Sequence, residues 1–234
     1  MNTALQAVLF DMDGTLVDTE RLWLRVVEEE ALGLGIALTD EDLAFVLGRA
    51  IDDSAAHLAA RSAGRADRAR LGESLERRFT ERVRREVVPM PGAVELLTAL
   101  GAAGVPTALV SASPRPVVDT VLDVLGRQWF TTSVAEGETP RTKPFPDPYR
   151  AALTTLGVPP AACVAVEDTP TGIASAEAAG CSVLAIPSHT PIAPAPRRTV
   201  ARSLLDVDLA LLRRLVGDLG HDSAPWRTDA TRPG

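Results

Sequence analysis

Ala7-Val8-Leu9-Phe10-Asp11-Met12-Asp13-Gly14-Thr15 is the stretch that decides the fold. Four apolar residues of strand length run directly into two carboxylates one residue apart, and a glycine then permits a tight turn. Unbroken rather than alternating apolarity belongs to a strand covered on both faces, as in a parallel sheet, and ligands gather at the carboxyl ends of such strands. The pattern returns in Thr107-Ala108-Leu109-Val110 before Ser111, and in Cys163-Val164-Ala165-Val166 before Glu167-Asp168. It returns once more in Ser182-Val183-Leu184-Ala185-Ile186 before Pro187. Helical segments separate these runs: Ala93 to Ala103 ends near Gly104, Pro116 to Leu125 at Gly126, and Thr171 to Ala179 at Gly180. Strand and helix in alternation predict an α/β fold, a doubly wound (Rossmann-like) parallel sheet.

From Thr19 to Pro89 the pattern changes to charged, wholly helical sequence. Leu71, Leu75, Phe79, Val83 and Val87 recur every fourth residue among Arg and Glu, one apolar stripe on an otherwise solvated helix. Thr39 with Asp42 has the form of a capping box that opens another helix. We therefore expect a Rossmann-like core over residues 1–17 and 90–216, with an inserted all-helical cap over 18–89. The two chain crossings between them would form a hinge. Pro187 to Pro196 reads as a surface loop, Leu204 to Val216 as a last helix, and 217–234 as a disordered tail of low apolar content.

Composition narrows the partners. The 234 residues carry 24 basic and 31 acidic side chains, a net charge of −7, which disfavours nucleic acid or an anionic membrane as the main partner. No apolar run approaches the length of a membrane span, and the first residues lack the basic start of a signal peptide. Cys163 and Cys181 form no C-x-x-C pair and adjoin apolar runs, as buried free thiols do, so a cytoplasmic protein is expected. A monomer is expected as well.

The chemistry concentrates at the strand ends. Of the paired acids, Asp11 can attack phosphorus to give an aspartyl-phosphate, while Asp13 can protonate the leaving oxygen and later deprotonate water. The bland alternative, a turn or a fragment of a calcium loop, lacks the further ligands such a loop requires, with Val17 and Leu22 as poor neighbours for it. Ser111 offers a hydroxyl for a phosphoryl oxygen, helped by neighbouring backbone N–H groups such as that of Ala112, or else simply caps a turn. Lys143 sits in a proline-stiffened loop before a helix, where an ammonium either neutralises phosphoryl charge or is merely solvated. Asp11, Asp168 and a backbone carbonyl are hard oxygen donors suited to Mg2+, with Glu167 as ligand or supporting residue. The alternative for Glu167 and Asp168 is to cap the following helix and nothing more.

These four elements, taken in order, make the chain resemble the haloacid dehalogenase superfamily of phosphohydrolases. They are Asp11-Met12-Asp13-Gly14-Thr15-Leu16-Val17-Asp18-Thr19, Ser111, Lys143 and Glu167-Asp168-Thr169-Pro170-Thr171-Gly172. The branch indicated has a helical cap inserted after the first strand, and the likeness runs from Leu9 to about Ser188. The resemblance implies that Asp11 is nucleophile and metal ligand, and that Asp13 is the acid/base and lends its carbonyl to the metal. It implies that Ser111 and Lys143 bind the phosphoryl group and that Asp168 completes the Mg2+ site. Dehalogenases of the superfamily lack the second acid, so Asp13 points to phosphoryl chemistry.

Cap residues choose the substrate in that superfamily. Its sugar-phosphate mutases, β-phosphoglucomutase among them, carry a cap histidine where this chain has Trp23, a departure that weakens the mutase reading. Glu20-Arg21-Leu22-Trp23 is instead similar to hexose-phosphate phosphatases, and Arg49 lies on a cap loop where a basic residue can meet substrate. Trp23 as cap core and Arg49 as a solvated helix-start residue are the ordinary alternatives. The expected function is hydrolysis of a small phosphate monoester, such as a sugar phosphate. The rivals are a β-phosphoglucomutase-like phosphotransferase and a catalytically silent binding protein of the same fold.

Overall fold

The structure, a computed structural model, describes residues 4–217 apart from 48 and 189. Its strands are β1 (Ala7–Phe10), β2 (Thr107–Val110), β3 (Thr132–Val134), β4 (Cys163–Glu167), β5 (Ser182–Ala185) and β6 (Arg198–Val200). They form one parallel sheet in the order β3-β2-β1-β4-β5-β6. The order reverses at β1, the switch point where an open α/β sheet leaves a crevice at its carboxyl edge. Phe10 is in register with Leu109 and with Val166, so Asp11, Ser111 and Glu167-Asp168 leave the sheet along one edge.

Alternate residues of each strand feed opposite faces, which explains the unbroken apolar runs. Val8, Phe10, Leu109, Val164, Val166 and Leu184 pack against α5 (Ala93–Ala102), α6 (Arg115–Leu125) and α9 (Leu209–Gly217). Ala7, Leu9, Ala108, Val110, Ala165 and Val183 pack against α7 (Asp147–Leu156) and α8 (Pro170–Ala179). Cys163 and Cys181 lie buried in that second layer as free thiols, each pushed up to about 12 by burial. Each fully buried Leu, Val or Phe in these layers contributes about 1.5–3 kcal/mol.

Four helices follow β1: α1 (Glu20–Gly33), α2 (Asp40–Val46), α3 (Ile51–Arg61) and α4 (Arg68–Glu86). The apolar stripe of α4 is buried through Leu71, Leu75, Phe79 and Val83, whereas Val87 is the C-cap that ends the helix. Thr39 and Asp42 form the capping box of α2, each side chain accepting from the other's backbone N–H. The two chain crossings lie side by side: Asp18 N–H donates to Val88 O at 3.1 Å and Met90 N–H to Leu16 O at 2.8 Å.

Two expectations need correction. Leu204 to Val216 is not one helix, because a short 3-10 turn at Leu204–Asp206 precedes α9. Asp208 restarts the chain, its carboxylate accepting from Leu211 N–H at 2.7 Å. Gly217, placed above in the tail, is the last residue of α9, and 218–234 lie outside the described residues.

Candidate active site

A cavity of about 580 Å³ opens at the carboxyl edge of β1, between the sheet and α1–α4. Asp11, Asp13, Glu20, Trp23, Arg49, Ala112, Lys143 and Asp168 all line it. Ser111 and Glu167 stand behind that lining, at 3% and 0% exposure.

Asp11 prolongs β1, its N–H held by Val166 O at 2.9 Å. Its Oδ1 accepts from Lys143 Nζ at 2.6 Å, and the same ammonium donates to Glu167 Oε1 at 2.6 Å and Val110 O at 2.9 Å. Burial alone would depress the Lys143 pKa, but the facing charges of Asp11 and Glu167 outweigh it and raise the value. The lysine is therefore a fixed cation, delivered to the site by the loop that continues through a cis Lys143–Pro144 bond into α7.

Asp13 is turned the other way. Thr19 Oγ1 donates to its Oδ1 at 2.6 Å, while Ser111 Oγ and Ser113 Oγ donate to its Oδ2 at 3.0 and 2.9 Å. Burial and then the neighbouring Asp11 charge raise its pKa, against the lowering effect of those three donors. One carboxylate is thus paired with an ammonium, and the other is inclined to hold a proton. That is the separation an acid/base and nucleophile pair requires. The hydroxyl of Ser111 serves Asp13 in this arrangement, and Ser113 N–H donates back to it at 2.9 Å.

Two glycines let the third element close on the first. Gly14 has φ +78°, and a Cβ there would collide with Asp168 Oδ2. A Cβ at Gly172 would overlap both carboxylate oxygens of Glu167, so the first turn of α8 packs directly over that acid. Asp168 Oδ2 accepts from Ser188 Oγ at 2.7 Å, but Asp168 Oδ1 is buried with no hydrogen-bond partner among the described residues. Burial, with the charges of Asp11 and Glu167, pushes the Asp168 carboxyl up to about 9.

Asp11, Glu167 and Asp168 each bring one carboxylate oxygen within 4.8 Å of the others. Hard oxygen donors in a buried cluster, one of them orphaned, fit a divalent cation. The carboxylate of Asp13 is not in that group. Glu167 is heavily engaged besides, since Tyr149 Oη donates to its Oε1 at 2.6 Å alongside Lys143.

The cap residues divide. Trp23 is 7% exposed, spends its indole N–H on Val46 O at 2.9 Å, and meets Phe79 edge to face, so it offers the cavity only its apolar surface. Arg49 is exposed, its guanidinium 4.2 Å above the Phe45 ring, and His57 stacks on the same ring at 4.3 Å. Glu20 approaches the Asp168 end, where its charge adds to the rise of that carboxyl.

Sequence reasoning did not single out Thr19, Ser113 or Tyr149. Ser113 left a signal, since Ser111-Ala112-Ser113 puts two hydroxyls in one loop, and Thr19 closes the first motif. Tyr149 left none: a tyrosine in an amphipathic helix reads as core until its buried hydroxyl is seen to need an acceptor.

The model of the haloacid dehalogenase-like hydrolases matches residues 5–180. Hexitol phosphatase A of Escherichia coli is 35% identical over 190 residues, covering 78% of this chain and 84% of that protein. Protein CbbY of Rhodobacter capsulatus is 34% identical, over 79% of this chain and 86% of its own. Among solved structures, CbbY of Rhodobacter sphaeroides in complex with xylulose-(1,5)bisphosphate superposes with a TM-score of 0.78 at 27% identity. That match covers 89% of this chain and 99% of the other.

Proposed function

Because the chain belongs to the haloacid dehalogenase-like hydrolases, we propose that it is a magnesium-dependent phosphatase of small monoesters, sugar phosphates in particular, working through a phosphoryl group carried on Asp11. The likeness to a hexitol phosphatase supports the substrate class. The observation that carries the mechanism is the contrast between Asp11, paired with Lys143, and Asp13, held by three hydroxyls with its pKa raised.

A carboxylate oxygen of Asp11 attacks phosphorus as the ester P–O bond breaks, and the departing oxygen takes the proton of Asp13. Water then attacks the phosphorus of phospho-Asp11 and gives a proton to Asp13, and the acyl-phosphate P–O bond breaks to release inorganic phosphate. Lys143 neutralises charge at Asp11 throughout. Asp11, Asp168 and the backbone carbonyl of Asp13, with Glu167 beside them, would hold a magnesium ion, whose charge would offset the repulsion between phosphate and carboxylate.

Residues 18–89 act in this reading as a cap that closes over the substrate, excludes water and opens for release, with 1–17 and 90–216 as the catalytic core. The paired crossings at Leu16–Asp18 and Val88–Met90 support a hinge there. Buried free thiols support a reducing compartment such as the cytoplasm. Among the described residues no helix is long and apolar enough to cross a membrane.

Phosphate release from a panel of sugar and hexitol phosphates, with magnesium and after chelation, tests the proposal. We expect release with magnesium and its loss on chelation, and free phosphate rather than an isomerised sugar as product. Undiminished turnover without metal, or no hydrolysis of any ester, would contradict it.

A further inference from the structure

Resting on the phosphatase reading, we propose that Glu136 and Asp53 make the remote end of the cavity selective for esters whose leaving group carries no second anion, a neutral polyol or sugar rather than a bisphosphate or a sugar acid.

Apart from the reacting groups Asp11, Asp13, Lys143 and Asp168, the ionisable side chains of the cavity wall among the described residues are Glu20, Arg49, Asp53 and Glu136. Glu20 lies at the Asp168 end, which leaves one cation, Arg49, with the two carboxyls of Asp53 and Glu136 on the rest of that wall. The acids come from both sides of the cavity. Asp53 is in the first turn of α3, in the helical layer, and Glu136 follows β3 on the sheet side, its N–H anchored to Ser113 O at 3.0 Å. Glu136 is half-buried, and its carboxylate has no hydrogen bond or ion pair among the described residues. Burial, then the charges of Glu76, Asp52 and Asp53, raise its pKa, so the wall is already crowded with negative charge before any ligand enters.

A second phosphate or a carboxylate at this end would meet that crowding with Arg49 as the one cation of that wall among the described residues, since Arg68, outside the lining and near Asp53, is engaged by Asp52. Hydroxyl groups suffer no such penalty: they can donate to Glu136 and Asp53 and accept from the N–H groups of Arg49. The Arg49 guanidinium carbon lies 4.2 Å from the Phe45 ring centroid, and its N–H groups make no hydrogen bond or ion pair among the described residues, so they can serve such bonds. A volume of about 580 Å³ accommodates a six-carbon ester.

Sorbitol 6-phosphate and 6-phosphogluconate make a matched pair, differing at the far carbon by a hydroxymethyl group against a carboxylate. Their potency as competitors of p-nitrophenyl phosphate hydrolysis is to be measured in the wild type, in Glu136→Gln and in Asp53→Asn. We expect the polyol to compete at about tenfold lower concentration in the wild type, and the gap to shrink to about threefold in Glu136→Gln. Asp53→Asn, an exposed site, is expected to narrow the gap too and serves if the first variant fails to fold by circular dichroism. Equal or stronger competition by 6-phosphogluconate in the wild type, or an unchanged gap in the folded variants, would overturn the proposal. Absence of p-nitrophenyl phosphate hydrolysis in the wild type would instead count against the phosphatase reading itself.

Discussion

An ammonium with 8% exposure keeps its charge only if its surroundings supply more negative charge than desolvation removes, and at Lys143 two carboxylates and a carbonyl do so. The reverse holds for its partners. Lys143→Met would leave Glu167, with 0% exposure, and Asp11 side by side without a counter-charge. We expect it to destabilise the protein by about 3–5 kcal/mol in urea unfolding as well as to abolish phosphate release. Stability within about 1 kcal/mol of wild type would contradict the central place given to this pair. Asp11 was legible in the sequence because it ends an apolar run, Asp13 because it stands one residue beyond that acid, and Asp168 because the pair Glu167-Asp168 follows another such run. Glu167 was legible as a site residue but not in its place, since an acid beside a metal ligand reads the same whether it faces the ion or the lysine behind it. The structure pairs Glu167 Oε1 with Lys143 and Tyr149 and also brings one of its carboxylate oxygens within 4.8 Å of those of Asp11 and Asp168.

At the scale of elements, α2 has only 7 residues and is too short to persist on its own backbone bonds. Asp42 holds it in place. Its Oδ2 accepts from Thr39 N and Oγ1 at 2.7 and 2.8 Å and pairs with Arg61, and its Oδ1 meets His57 Nε2 at 2.7 Å. We expect Asp42→Ala to cost about 1–3 kcal/mol in thermal unfolding, with the loss centred on the helices after β1. Hydrogen exchange that stays unchanged in α2 and α3 would refute that. The capping box was readable from Thr39 and Asp42 alone, and α4 from its apolar stripe. Strands β3 and β6 were not: Thr132-Ser133-Val134 and Arg198-Thr199-Val200 are three-residue edge strands with two polar residues each, too short for any periodicity to declare itself. Their pairing to β2 and β5 is imposed by the sheet already formed.

At the scale of the molecule, the core and the capping helices meet across a seam where Glu136 faces Glu76, Asp52 and Asp53, Asp52 being itself paired with Arg68. Burial and these like charges hold the Glu136 carboxyl above its ordinary 4.5. A carboxyl whose folded-state value is raised favours the folded state below its unfolded value, and that contribution is lost as pH rises through the raised one. Wild type should therefore lose stability relative to Glu136→Gln from about pH 4.5 upward, by less than about 1 kcal/mol given solvent screening at the seam. Thermal melts of both proteins between about pH 4 and pH 7 check the sign, and a gap that widens toward acid would be the wrong one.

On the proposed mechanism, a phosphoryl group on Asp11 lasts long enough to be useful only where bulk water is kept out. Acid quenching of the enzyme during turnover, followed by peptide mapping in a mass spectrometer, tests this most directly. The account predicts a phosphoryl adduct on the peptide containing Asp11 that is absent from Asp11→Asn. An adduct on another side chain, or normal hydrolysis by Asp11→Asn with no adduct at all, would contradict it.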